Sequence, residues 1–175
     1  MPNFACTRSG LRNTDVLDEQ GTPLYRISTD HALLGREHTK VSSLQSGEPG
    51  ETVAEVEWQS AISSTITFKI RGTSIKARDF TRHSSLSSAR AFNGYTGRSY
   101  SWEVLITGAK LQSVPEGQKI GEWHSKSHGI IGHAHPAHLE LPSDATEDLV
   151  EIVLVLLYVQ ELSRQDPLTG AAYAW

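Results

Sequence analysis

The sequence predicts a mainly β, antiparallel protein, either a sandwich or a barrel, that encloses one hydrophobic C-terminal α-helix. Two observations predict it. Short segments of alternating apolar and polar residues recur at a spacing of roughly 8–12 residues between turn residues, which is typical of antiparallel sandwiches and barrels. One long apolar segment, from Leu149 to Val159, follows near the C-terminus. The 175 residues are within the range of a single domain.

The strands are predicted from Pro23 onward, where a period of two residues becomes visible. Residues 1–22 show no sustained period, so we expect them to form a loosely ordered lead-in. The predicted strand segments are PLYRIST at 23–29, TVAEVEWQS at 52–60, STITFKIRGTSIKARDF at 64–80, RAFNGYTGRSYSWEVLI at 90–106, KLQSV at 110–114, KIGEWHS at 119–125 and AHLEL at 137–141.

The last apolar segment is predicted to be a helix over residues 146–164. Asp144 and Glu147 have the spacing of a capping box at its start. The helix ends before Pro167, and residues 167–175 form a C-terminal tail. A helix that is apolar all round must be buried on all sides, so we expect the sheet to enclose it. Its many β-branched residues leave a buried strand open as the alternative.

Charge and cysteine content exclude several classes of protein. The formal net charge of −4 argues against general nucleic-acid binding, because a phosphate backbone attracts a basic surface. Cys6 is the single cysteine, so no internal disulfide forms, and no Cys–His spacing marks it as a nucleophile. The N-terminus lacks the apolar core of a secretory signal. The longest apolar run is far shorter than the about 20 residues of a membrane span. We therefore expect a cytoplasmic protein without a transmembrane segment, although a mature secreted chain would look the same, and peripheral membrane contact stays open.

Four stretches in a fixed order resemble the tubby-like superfamily, which contains tubby C-terminal domains, LURP-one-related proteins and phospholipid scramblases. Their order is most similar to that of an uncharacterised fungal family, DUF6593. The most specific piece is the G-R-x-Y-x-W hairpin of Gly97, Arg98, Tyr100 and Trp102, and the likeness covers residues 23–164. The four stretches are PLYRIST at 23–29, AEVEWQS at 54–60, RAFNGYTGRSYSWEV at 90–104 and HLELPSDATEDLVEIVLVLLYVQELSR at 138–164.

The resemblance implies a fold more than a function. It implies a closed antiparallel β-barrel of about twelve strands over residues 23–166, wrapped around the C-terminal helix. Because that helix occupies the interior, a small-molecule pocket is expected at a barrel end or on the wall. Tubby domains bind phosphoinositides through Lys and Arg on neighbouring strands, whereas the fungal family has no defined function. A fold alone is weak evidence for a particular activity.

The histidines form the first candidate site, since five of the eight fall within fifteen residues. In the segment GHAHPAH, His133 and His135 project to the same side if the chain is extended, and His124 can face them across a hairpin. Imidazoles on one side of a strand can share one ion at about 2.0–2.1 Å. Glu122 or Glu140 can supply a carboxylate ligand or a base. The predicted ligands of a divalent transition metal such as Zn²⁺ are His124, His128, His133 and His135.

Two alternatives accompany this metal site. A histidine also suits general acid–base catalysis without a metal, because its pKa is ordinarily about 6.5. In that case the catalytic candidates are His133, His135 and His138, with Arg98, or alternatively Arg90, stabilising an anion. The other alternative is an exposed loop in which histidine is only a polar turn residue.

The hairpin with its predicted turn at 72–74 carries the second candidate site. Lys69 and Arg71 alternate with apolar residues on one strand, and Lys76 and Arg78 return beside them. Four cations on one face repel one another unless an anion lies among them. The pattern therefore predicts binding of a phosphate, a phosphoinositide headgroup or a carboxylate. The alternative is a solvated outer wall whose cations pair with nearby acidic residues.

Two classes of function follow from these sites. The first, which the resemblance favours, is a ligand-binding module for an anionic lipid headgroup or small molecule, carried by the basic hairpin. The second is a small enzyme, with or without a metal, such as a lyase, isomerase, cyclase or hydrolase, with its site in the histidine-rich segment. The first predicts salt-sensitive binding to anionic vesicles, and the metal-dependent form of the second predicts a bound metal.

Overall fold

The protein is described from a computed structural model that defines residues 1–31, 37–44, 50–58, 65–83, 89–105, 107–127 and 135–165. The strands, numbered along the chain, are β1 (Asn3–Cys6), β2 (Thr14–Leu17), β3 (Pro23–His31), β4 (Glu37–Ser43), β5 (Thr52–Glu57), β6 (Thr67–Ile70), β7 (Thr73–Lys76), β8 (Arg82–His83), β9 (Arg90–Asn93), β10 (Ser99–Leu105), β11 (Gly108–Ser113), β12 (Lys119–His124) and β13 (His138–Glu140). The helices are α1 (Ala77–Phe80), a 3₁₀-helix (Ser143–Asp148) and α2 (Leu149–Gln165).

All thirteen strands belong to one antiparallel sheet. Its order is β7-β6-β5-β4-β3-β2-β1-β13-β12-β11-β10-β9-β8. Every neighbouring pair except one is consecutive along the chain. The exception is β1, which pairs with β2 on one side and with β13 on the other. This long-range pairing joins the two halves of the chain into a single sheet.

The two edge strands of the sheet, β7 and β8, are consecutive in the sequence, and this requires the sheet to curl. Only residues 77–81, which include α1, separate β7 from β8. A flat sheet of this order would be about 58 Å wide at about 4.8 Å per strand. The connection from Lys76 to Arg82 spans at most about 21 Å, so the sheet has to curve back on itself. Within the part of the chain that the structure describes, β7 and β8 share no ladder of hydrogen bonds, so the predicted closure into a barrel is not observed.

Helix α2 fills the space that the sheet surrounds. Every residue from Leu149 to Val159 is buried. The indole N–H of Trp102 on β10 donates to the carbonyl of Ile152 at 2.9 Å, which ties the sheet to the helix backbone. Each fully buried Leu, Ile or Val stabilises the fold by about 1.5–3 kcal/mol. The predicted buried helix is confirmed, and the strand alternative is wrong. Neither of the described α-helices is both long enough and apolar enough to cross a membrane.

The start of this helix differs from the prediction. In this described part of the chain, Asp144 and Glu147 form no capping box. The 3₁₀-helix runs directly into α2, and the amide of Leu149 donates to the carbonyl of Thr146. Because the preceding turn supplies backbone acceptors, the first turn of α2 needs no side-chain cap. The predicted tail at 167–175 lies outside the described residues.

Residues 1–22 are not the loosely ordered lead-in that we predicted. They hold β1 and β2, and Phe4, Cys6 and Val16 on these strands are buried in the core. Strands of four residues are too short for a period of two to stand out, and the partner of β1 comes from the other end of the chain. Burial raises the pKa of the Cys6 thiol to about 12, so the thiolate nucleophile does not form near neutral pH.

Candidate functional site

A cluster of polar side chains lies on the outer face of β12 and β13. The two strands pair with His124 opposite His138 and with Glu122 opposite Glu140. Because side chains alternate along a strand, these four share one face, while the residues between them point into the core. His124 therefore faces His138, at the end of the histidine-rich segment, across the two strands.

The two imidazoles and one carboxylate of this cluster converge. The rings of His124 and His138 stack with their centroids 4.5 Å apart and their planes at 16°. Glu140 Oε1 lies 3.8 Å from His124 Nε2 and 3.7 Å from His138 Nε2. These distances are too long for hydrogen bonds. The Nε2 atom of His124 is buried and has no hydrogen-bond partner among the described residues. One potential ligand atom from each of the three residues lies within 4.8 Å of the others.

Glu122 is the second carboxylate of the cluster, but it already has a partner. The ammonium group of Lys119 forms a close salt bridge with Glu122 Oε2. Glu140, by contrast, lies within 4 Å of His124 and His138 and forms no ion pair with a Lys or Arg among the described residues. Glu140 is therefore the carboxylate that is better placed to accept a cation.

Hydrogen bonding decides which ring nitrogen of His138 carries the proton. Its Nδ1 atom lies 3.0 Å from the carbonyl oxygen of Pro136. A carbonyl oxygen only accepts, so Nδ1 is the protonated nitrogen of the neutral ring and Nε2 keeps its lone pair. Nε2 is the atom that faces Glu140. A backbone carbonyl on the far nitrogen is a common arrangement around metal-binding histidines, because it orients the ring.

His135 reaches the cluster from the segment between the two strands. Backbone hydrogen bonds to Ser127 in both directions hold it in an isolated bridge. Its ring centroid lies 5.2 Å from that of His138 and 6.2 Å from that of His124. Its Nδ1 atom also lies 3.0 Å from the Pro136 carbonyl oxygen. His135 is thus a neighbour of the cluster, although it is not one of its three convergent ligands.

The predicted histidine set is therefore brought together in part. His124 and His135, predicted as metal ligands, lie beside His138, predicted as a catalytic residue. His128 and His133 lie outside the described residues. The prediction centred on the H-x-H pair of a single strand, whereas the convergent pair in the structure comes from two strands.

Arg98, predicted to stabilise an anion beside the histidines, lies at the other end of the fold. Its guanidinium binds the carbonyl and the carboxylate of Asp144, in the 3₁₀-helix before α2. His124 instead adjoins Ser125, which lines a cleft together with Gln160 near the C-terminal end of α2. At 1.5 Å per residue, Leu149 at the start of α2 and Gln160 are about 17 Å apart. The structure does not place Arg98 with the histidines.

The basic hairpin does not present four unpaired cations on one face. Its turn consists of Arg71 and Gly72, with φ values of 48° and 79°, rather than residues 72–74. This moves Arg71 out of the strand, and Arg78 falls in α1, where it lies 3.6 Å from Asp79. Lys76 lies opposite Thr67 and so shares the outer face with Lys69.

Two of these cations have close acidic partners. Lys69 Nζ lies 2.6 Å from Glu57 and 3.6 Å from Glu55, and its hydrogen bond to Glu57 raises the pKa of Lys69. Arg71 forms a close salt bridge with Glu151 of α2, and its guanidinium lies 4.0 Å from the ring centroid of Tyr95. The hairpin thus has much of the ion pairing expected of a solvated outer wall, which was the alternative to an anion-binding site.

Two buried carboxylates at the N-terminal end of α2 were missed by the sequence analysis. Burial alone would raise the pKa of Asp148, but hydrogen bonds from Thr96 and Tyr100 outweigh it and lower that pKa. Burial raises the pKa of Glu151, and the salt bridge with Arg71 offsets this only in part. For Glu151 the available signal was an acidic residue inside an otherwise apolar helix, because such a residue has to be buried and needs a partner, whereas Asp148 precedes α2 and gave no such signal.

Fold and site together define a class of protein: a single curled antiparallel sheet around a C-terminal helix, with a histidine–glutamate cluster on its outer face. The chain belongs to a family described as a family of unknown function, DUF6593, which matches residues 9–165. No curated protein matches the sequence. A solved X-ray structure of a protein from Arabidopsis thaliana is similar to the fold, with a TM-score of 0.49 and 10% identity, covering 93% of this chain and 91% of that one.

Proposed function

We propose that the protein binds a divalent transition metal ion, with Zn²⁺ as the first candidate, through His124, His138 and Glu140. The observation that supports the proposal is the convergence of three ligand atoms within 4.8 Å. Imidazole nitrogen and carboxylate oxygen are ligands that zinc prefers, and two histidines with one glutamate are a known donor set for zinc sites with an open fourth position.

The cluster has to contract slightly to hold an ion. Two ligands of a tetrahedral zinc ion at 2.0–2.1 Å are about 3.3 Å apart. The distances of 3.7 and 3.8 Å to Glu140 Oε1 exceed this by only a few tenths of an ångström. The stacked rings also have to turn relative to each other, since the lone pair of an imidazole nitrogen lies in the plane of its ring. We expect side-chain rotation to supply both movements without a change in the paired backbone of β12 and β13.

The surroundings of the site favour metal binding over an enclosed reaction. The side chains of His138, His124 and Glu140 are 15%, 30% and 39% exposed, so a bound ion would face solvent on the outer wall. Enzyme sites are usually concave and exclude water. The enzymatic alternative that this donor set supports is a hydrolase, because an open coordination position can hold an activated water.

Calorimetric titration of Zn²⁺ into metal-free, tag-free protein purified without nickel resin tests the proposal. We expect one ion per chain, and an affinity about 100-fold lower in the His124→Ala/His138→Ala variant, since even partners outside the coordination shell contribute 10–100-fold. The Glu140→Gln variant keeps the shape of the side chain and should lose about 10-fold. Zinc should also raise the midpoint of thermal unfolding of the wild type, because a ligand that binds the folded state stabilises it.

The control removes two histidines elsewhere. His31 forms its own pair with Glu37, with Nδ1 and Oε1 3.1 Å apart, and His83 is exposed on β8. The His31→Ala/His83→Ala variant should bind zinc like the wild type. A wild type that does not bind zinc, or a His124→Ala/His138→Ala variant that binds it equally well, would contradict the proposal. A comparable loss in His135→Ala would add His135 as a fourth ligand.

We also infer that the sheet is a tubby-like barrel. Two features support this: helix α2 is buried throughout its apolar length, and a short connection through α1 links the two edge strands. A barrel removes the exposed strand edges that invite aggregation. Slow hydrogen exchange at the backbone amides of Ser74 and Lys76, which point away from β6, would support edge pairing between β7 and β8, whereas exchange typical of a free edge would contradict it.

A further inference from the structure

A cleft of about 730 Å³ opens at the C-terminal end of α2, and its lining includes Trp123 and Ser125, the two neighbours of His124 in the chain. On one side lies the connection between β1 and β2, and on the other lie the last turns of α2. Residues at the ends of β10 and β12 close the third side. Its volume is within the range of pockets that hold small organic ligands.

The deep part of this cleft is apolar. Leu11, Trp123 and Leu157 line it and are buried, and Val104 adds a partly buried aliphatic surface. Leu11 belongs to the connection between β1 and β2, so the chain folds an apolar side chain inward there while the polar residues before it stay exposed. The apolar surface suits a ring or an alkyl chain rather than a free inorganic ion.

The rim of the cleft carries three arginines and one glutamate: Arg8, Arg12, Arg164 and Glu161. Glu161 Oε2 accepts hydrogen bonds from Arg12 at 3.0 Å and from Arg164 at 3.2 Å, so one carboxylate serves two guanidinium groups. Arg12 also binds Glu37 at 2.8 Å. Arg8 forms no ion pair within 4 Å with any residue that the structure describes, and it affects Asp15 only at longer range.

The lining is therefore electropositive, although the chain as a whole carries a formal charge of −4. The C-terminal end of a helix contributes about −0.5 of a charge, which does not cancel the excess of guanidinium groups. Arginines beside an apolar floor suit a ligand that has both a carboxylate and an apolar part. The guanidinium group can form two parallel hydrogen bonds with a carboxylate.

We propose that this cleft binds a small amphiphilic carboxylate, with its apolar part against Leu11, Trp123 and Leu157 and its charge between Arg8 and Arg164. Arg12 is already paired with Glu37 and Glu161, so we do not expect it to bind the carboxylate of the ligand. The cleft is not lined by His124, His138 or Glu140, so the proposal does not depend on the metal site.

Titration of metal-free protein with two carboxylates tests the proposal and separates two sources of ligand. Decanoate represents an aliphatic acid and 2-naphthoate an aromatic one, and binding is followed by calorimetry. We expect binding of one molecule per chain for at least one of the two. 1-Decanol and acetate, which lack the charge and the apolar part respectively, should each bind at least about 10-fold more weakly, because the two kinds of contact act together.

The Arg8→Ala/Arg164→Ala variant should weaken carboxylate binding about 10-fold, as expected for losing two charge-assisted contacts at a partly exposed rim. The Arg78→Ala/Arg82→Ala variant changes the net charge equally but lies on α1 and β8, so its affinity should equal that of the wild type. Val104→Trp should fill the cleft and block both probes. The proposal is overturned if neither carboxylate binds the wild type, or if both arginine variants bind with equal affinity.

Discussion

At the N-terminal end of α2, Asp148 is fully buried and has a complete set of partners. It accepts hydrogen bonds from the amide and hydroxyl of Thr96, at 2.7 and 2.6 Å, and from the hydroxyl of Tyr100 at 2.7 Å. At the C-terminal end, Arg8 and Arg164 border an open cleft. Arg164 shares Glu161 with Arg12, and Arg8 has no ion pair within 4 Å among the described residues. Charged groups with a full set of partners stabilise a fold, whereas groups that still lack them are the ones that a ligand can engage.

Asp148 and Glu151, the two acids at the N-terminal end of α2, also differ from each other. We call this end the closed end, and the C-terminal end with its cleft the open end. Hydrogen bonds overcome burial at Asp148 and lower its pKa, whereas burial prevails at Glu151 and raises its pKa. Glu151 Oε2 is buried without a hydrogen-bond partner among the described residues. Asp148 therefore stabilises the fold in its charged form, and Glu151 is accommodated at a cost that Arg71 offsets in part.

The largest expected effect comes from removing the carboxylate of the closed end. Asp148→Ala should lower the free energy of unfolding by about 3–5 kcal/mol, because the buried hydroxyl of Tyr100 is left without an acceptor and the two hydrogen bonds from Thr96 are lost. Urea denaturation measures this change. Asp144→Ala is the control, since that side chain is 66% exposed and its loss should change stability by less than about 0.5 kcal/mol. Equal effects of the two variants would mean that the closed end is not held by Asp148.

A medium effect is expected from crowding the same carboxylate. A Cβ atom at Gly94 would lie 2.4 Å from Asp148 Cγ, and three hydrogen bonds prevent that carboxylate from moving away. Gly94→Ala should therefore lower the free energy of unfolding by about 1–3 kcal/mol. Gly10→Ala is the matched control at the open end, where a Cβ atom meets nothing within 4 Å, so stability there should hardly change. A tolerated Gly94→Ala would show that the network can rearrange.

The smallest effect is a difference in pH dependence between the two acids. The pKa of Glu151 is raised in the folded state, so its contribution to stability is complete below its ordinary value of 4.5 and is lost as the pH rises through the raised pKa. The stability of Glu151→Gln relative to the wild type should therefore increase with pH above 4.5. The total change should stay below about 1.5 kcal/mol, because Arg71 is partly exposed and can be solvated.

Asp148→Asn should show the opposite sign. The pKa of Asp148 is lowered, so its stabilising contribution is present above the ordinary value of 3.8 and is lost as the pH falls below it. Relative to the wild type, this variant should become less stable as the pH rises toward 3.8. Unfolding free energies measured from pH 2.5 to 7 give both curves, and parallel curves would refute the assignment of opposite roles.

Local patterns in the sequence predicted the elements that depend on neighbouring residues. The alternation in PLYRIST predicted β3, and the apolar run from Leu149 predicted a buried helix. Alternation did not place His124 opposite His138, because that register comes from the pairing of β12 with β13. It could not place Asp148, because whether a carboxylate at the start of a helix is solvated or buried depends on which strands pack over it.

The sequence by itself determined the strand alternation, the apolar character of α2 and the concentration of histidines near β13, because each is a property of residues close together in the chain. The tertiary structure decided which charges meet. Arg12 binds Glu161, which is 149 positions away, and β1 pairs with β13 from the opposite end of the chain. Those long-range pairings form the cleft and bring the N-terminal residues into the sheet. They also require the sheet to curl around the helix before the partners can approach, so no local period in the sequence reveals them.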